Sequence, residues 1–176
     1  MKKTLVGATL LSLTSFYVLA DNTTKVFEVK RGFAKTFSVS QTEQLGKFKA
    51  VLKSRRDGGE LSAEKLVLKG TIKGILNSNF TLNHTFVNKE RTGVLYTAND
   101  SMTNILAGDA TCENGTGSIP FEIEETLHLV AGTGIYAGIE QGSFILLKGV
   151  INNCPSLPEY GQNTFEVVGG SVIFTQ

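Results

Sequence analysis

Three residues could do chemistry because of the company they keep. Glu125 lies in phase with Phe121, Ile123, Leu127 and Leu129 of "FEIEETLHLV", opposite Glu122, Glu124, Thr126 and His128. His84 lies in phase with Phe80, Leu82 and Phe86 of "FTLNHTFV", and Lys35 shares a face with Phe33, Phe37 and Val39. A carboxylate on an apolar face is costly unless paired, and its pKa rises if it stays desolvated. In an enclosed lumen, Glu125 and His84 have the chemistry of a general acid and base. With Lys35 they are also candidates for anchoring the polar group of a ligand. The bland alternative is that a bulge shifts the phase, or that Glu125 sits at a wet barrel mouth.

Other motifs lead nowhere chemical. In "AGTGIYAGIEQGSF" the glycines fall as Gly132-x-Gly134-x-x-x-Gly138, one residue too long for a dinucleotide fingerprint. The following "IEQGSFILLKGVI" is β-rich, so no helix N-terminus is available to hold a phosphate. Tyr136 reads as a packing residue of this turn. The nearest approach to a nucleophile elbow, Gly169 to Ile173, lacks its final glycine, which leaves Ser171 a strand residue. With two histidines, His84 and His128, and no ligand spacing around the cysteines, neither a metal nor a cofactor is expected.

The elements that position these residues begin after a leader. Lys2, Lys3 and the apolar "TLVGATLLSLTSFYVLA" read as a signal peptide over 1–20, with Val18 and Ala20 before the cleavage point. The expected product is one domain over 21–176, secreted or periplasmic. No later segment is long and apolar enough to span a bilayer. A charge balance near zero argues against nucleic acid as a partner. In an oxidising compartment Cys112 and Cys154 read as one structural disulfide, the alternative being two buried thiols. Sequons occur at Asn22, Asn79, Asn83, Asn99 and Asn114.

Period-two alternation recurs along the chain, and sustained helical periodicity does not. Phe48, Ala50 and Leu52 alternate with Lys47, Lys49 and Lys53. Strands are expected over 24–31, 33–40, 45–54, 63–76, 79–87, 92–97, 103–111, 118–130, 142–151 and 164–174. Many short strands with glycine-rich corners indicate an all-β sandwich or barrel. "GSFILLKGVI" and "NTFEVVGGSVIF" are apolar on both faces, so the outer face needs cover from a loop, the N-terminal segment or a second subunit.

The run "AGTGIYAGIEQGSFILLKG", residues 131–149, resembles the glycine- and aromatic-rich segment of the allene oxide cyclase and dirigent-like β-barrels. "GDATCENGTGSIPFEIEETLHL" and "GGSVIFTQ" follow the same order of strands. The resemblance implies a single antiparallel barrel of about eight strands, sometimes trimeric, with an apolar lumen. It carries over the fold and no catalytic motif. Two functions follow as expectations. One is a non-enzymatic secreted barrel that binds a small apolar ligand or a protein partner, as a monomer or as a dimer or trimer. The alternative is an isomerase or cyclase that confines a reactive substrate in the lumen.

Overall fold

The alternation in "FKAVLKS" turns Phe48, Ala50 and Leu52 inward, where they are buried, and leaves Lys47 and Lys53 in solvent. Repeated along the chain, that pattern yields strands and no helix among the described residues. The computed structural model describes residues 23–55, 61–111 and 119–175. They form β1 (Thr24–Ser38), β2 (Glu43–Arg55), β3 (Leu61–Leu76), β4 (Leu82–Asn88), β5 (Gly93–Thr97), β6 (Ser101–Ala107), β7 (Phe121–Gly134), β8 (Ser143–Ile151) and β9 (Gln162–Thr175).

Every pairing is antiparallel. The sheet runs β5-β4-β3-β2-β1-β9-β8-β7, and β5 also pairs with β7, which closes eight strands into a barrel. The additional strand, β6, continues the line of β5 along the same neighbour. Gly93 faces Gly134 and Thr97 faces Leu129, then Ser101 faces Thr126 and Ile105 faces Ile123. Residues 98–100 interrupt that line, and Asn99 adopts a positive φ of 56° there.

Phe27, Phe48, Phe86, Phe121, Phe165 and Phe174 are part of one buried apolar cluster that fills the interior. Phe48 and Phe86 meet edge-on at 5.3 Å, and Phe27 and Phe174 at 5.7 Å. Tyr136 closes one end. It is 1 % exposed, its ring lies 6.0 Å from Phe86, and a Cβ at Gly132 would strike its backbone. The glycine run is therefore a turn that seats a tyrosine plug. At the other end residues 152–161 connect β8 to β9, their stems tied by Asn152 Nδ2–H to Gln162 O (2.6 Å) and Gly161 N–H to Asn152 O (2.7 Å). Leu157 and Cys154 of this loop are buried.

The sequence reading changes at β4 and along β1: the strand expected over 79–87 begins only at Leu82, and Phe80, expected on the His84 face, is 76 % exposed at a positive φ of 62°. The expected strands 24–31 and 33–40 are one continuous β1, whose register shifts between Val29 and Arg31. That bulge inverts the phase: Phe27 and Val29 point inward before it, whereas Ala34 and Thr36 do so after it. Phe33, Lys35 and Phe37 consequently face out. The "EKLVLKG" segment is strand, within β3. Phe144, Leu146 and Val150 on the outside of β8 are half-buried within the single chain. Residues 1–20 and Cys112 lie outside the described residues, as do Asn22 and Asn114.

Candidate functional site

The barrel interior carries one strongly polar cluster. His84 from β4, Glu125 from β7 and Asp100 from the interruption between β5 and β6 are 4 %, 3 % and 0 % exposed. One ligating atom of each lies within 4.8 Å of the others. Asp100 is here for a local reason. The break after β5 leaves backbone groups of β7 without ladder partners, and the Asp100 side chain supplies what is missing. His128 N–H donates to Asp100 Oδ1 at 2.6 Å. His84 Nδ1–H donates to Asp100 Oδ2 at 2.7 Å, and the Thr97 hydroxyl donates to the same oxygen. The Asp100 backbone also bridges to Leu82, N–H to O in both directions (2.8 and 2.9 Å). One carboxylate thus repairs a strand junction and fixes a histidine.

From His84 the network runs outward along the lumen. Gln44 Nε2 faces His84 Nε2 at 3.4 Å, and Gln44 Oε1 accepts the Thr36 hydroxyl at 2.6 Å. An amide N–H can only donate, so this contact fits a ring with its proton on Nδ1. Protonating Nε2 requires Gln44 to turn its oxygen to the ring, at the expense of the Thr36 bond. Glu125 differs from its neighbours: its Oε1 is buried with no hydrogen-bond partner.

The charges follow from this geometry. Burial drives the Glu125 carboxyl up to about 7; the Asp100 charge adds to the rise, and His84 opposes it. For His84, burial favours the neutral ring. The hydrogen bond to Asp100 and the charges of Glu125 and Asp100 outweigh it, and the pKa is raised. The three residues are also the donor set that a cation would use among the described residues. The facing atoms of His84 and Asp100 are already joined, so a cation would have to displace that bond.

The two lumenal candidates, His84 and Glu125, are therefore brought together as their phase implied. Lys35 is not with them. It stands on the outer wall, opposite Lys47 across the β1–β2 ladder, because the β1 bulge inverts its face. Asp100, Thr97 and Gln44 escaped sequence reading, since "AND" at 98–100 looks like an ordinary turn. Tyr136 is the packing residue expected of it, and burial pushes its phenol up to about 12, with a contribution from Glu90.

A second region emerges on the outside. Phe33, Lys49, Lys69 and Lys89 form one cross-strand row over β1 to β4, set by the Phe33–Lys49 and Lys49–Lys69 pairs and by the Lys89 N–H bond to Lys69 O (2.9 Å). Lys35, Lys47, Thr71 and Val87 form the next row. The rows border a cavity of about 410 Å³ that opens on the outer wall, with Arg91 at its edge. A Cβ at Gly70 would collide with the Val87 carbonyl, so only glycine lets β3 and β4 approach beneath it. The sequence held a signal for this wall in its charge distribution. Residues 23–92 carry fourteen Lys and Arg against six Asp and Glu, and residues 93–176 carry one against nine.

Compared with family models, curated proteins and solved structures, the chain matches none. The likeness to the allene oxide cyclase and dirigent-like barrels rests on its own residues alone.

Proposed function

We propose that this chain is a non-catalytic binding barrel that engages its partner through the outer wall of β1–β4. One contrast supports the reading. The acid–base set of the interior is buried at 0–4 % exposure, whereas the described cavity opens outside. A group that no substrate reaches cannot transfer a proton to one. In this reading the apolar lumenal ligand gives way to an external partner, which the protein would meet outside the cytoplasm if the expected signal peptide over 1–20 directs export. A Cys112–Cys154 bridge would tie the 152–161 loop, in which Cys154 is buried.

One observation favours the isomerase or cyclase reading. Glu125 Oε1 is an unpartnered acceptor in the interior, on a carboxyl that titrates near 7. Native mass spectrometry separates the two. The binding barrel has the mass of the polypeptide alone. A stoichiometric small molecule that Glu125→Gln releases would return the function to the lumen.

A further inference from the structure

The outer wall is built against its own stability, and that points to what it binds. Lys49 and Lys69 stand directly opposite one another on β2 and β3, as do Lys53 and Lys65 further along and Lys35 and Lys47 on β1 and β2. Like charges directly opposite on neighbouring strands destabilise a sheet. Natural sheets interleave opposite charges on wet faces, as this protein does where Lys73 meets Glu43 at 3.3 Å and Lys148 meets Glu122 at 3.7 Å. Lys35, Lys47, Lys49, Lys69, Lys89 and Arg91 form no ion pair among the described residues. Of the carboxylates around them, Glu43 is held by Lys73, Glu90 faces the Asn88 amide at 3.5 Å, and Glu166 stands on β9 between Phe33 and Lys148.

We infer that the cavity over β1–β4 is a binding site for a linear anionic polysaccharide, bearing carboxylate or sulfate groups, with Phe33 as the platform for a sugar ring. Strand spacing sets the lysines of one row about 4.8 Å apart, a comb of point charges matched to closely repeated anions. A concave site accepts a chain better than the plane of a membrane, which touches a barrel along a line. A single strand of nucleic acid needs several aromatic platforms for its bases, and among the described residues Phe33 is the only aromatic side chain that lines the open side of the cavity. Phe48 also borders it, but it is buried and turned into the core. This inference rests on the outer-wall reading and names its ligand class.

The test is titration of the purified protein with heparin and with polygalacturonate, against neutral dextran, single-stranded DNA and phosphatidylglycerol vesicles, over a salt series. Expected are binding to the charged glycans only, affinity that falls linearly on a log–log salt plot, and a loss of about tenfold or more in Lys49→Glu/Lys69→Glu. Phe33→Ala is expected to lose about threefold on glycan. Lys148→Gln, three strands from Lys49 and outside the cavity lining, keeps wild-type affinity. Lys49→Gln/Lys69→Gln also weakens binding but melts no lower than wild type, which separates lost binding from lost folding. Glycan affinity indifferent to Lys49 and Lys69 overturns the inference. So does tighter binding to DNA or vesicles, or a self-association that Lys49→Glu/Lys69→Glu dissolves while no glycan binds. Failure of every anionic probe removes the ligand class, whereas a lumenal cargo in native mass spectrometry removes the outer-wall reading itself.

Discussion

The lumenal cluster and the outer wall invert each other. Inside, residues of catalytic type are committed to structure: Asp100 holds a strand junction, a threonine and a histidine at once. Outside, lysines that read as an ordinary solvated face are arranged in a way that folding does not favour. Residue type is a poor guide to function where the fold itself consumes the side chain. An arrangement that costs stability without returning it is the better guide.

The sharpest way to break this contrast is at Asp100. Asp100→Ala strips acceptors from His84, Thr97 and the His128 N–H in a sealed interior, and about 3–5 kcal/mol of stability is expected to go, read by urea denaturation. Retention of wild-type stability would mean that the cluster is not structural. Next comes the 152–161 loop. Closing the loop between Cys112 and Cys154, a sequence separation of 42, is worth up to about 4 kcal/mol in the chain-entropy model. Non-reducing peptide mapping of exported protein should find the 112–154 link, and Cys154→Ser should unfold at lower denaturant. Two free thiols in exported protein would contradict it.

Glu125 sharpens the comparison through pH. Its folded pKa is raised from 4.5 to about 7, so the folded state binds the extra proton between those values. The stability this contributes is whole below pH 4.5 and is lost as pH rises through 7. Glu125→Gln removes the titration. It should match wild type near pH 4.5 and exceed it at pH 8 by at most about 3 kcal/mol. His84 titrates in the same sense, its raised pKa adding stability that also fades with rising pH. A wild-type protein more stable at pH 8 than at pH 5 would contradict both. The smallest effect belongs to the outer wall: Lys49→Gln should raise stability by about 0.2–1 kcal/mol as one facing like charge disappears.

The alternation of β2, β4 and β7 was legible because period two survives wherever a strand is half-buried. It placed His84 and Glu125 on the lumenal face without a structure. What escaped it were the irregularities. The bulge between Val29 and Arg31 carries no sequence mark, and it reassigns Phe33, Lys35 and Phe37 from core to surface. The interruption at 98–100 looks like a turn between strands, yet it is a bend within one line of pairing that aims Asp100 inward. Neighbouring cations across strands cannot be read from one strand at a time, because register alone puts Lys49 beside Lys69.

The most direct measurement compares the two regions in one assay. Wild type, Glu125→Gln and Lys49→Gln/Lys69→Gln are titrated with the same heparin sample at one pH and salt concentration. The account requires Glu125→Gln to bind as wild type does and the double lysine variant to bind about tenfold more weakly or worse. Heparin affinity that falls with Glu125→Gln and survives the loss of both lysines would contradict it.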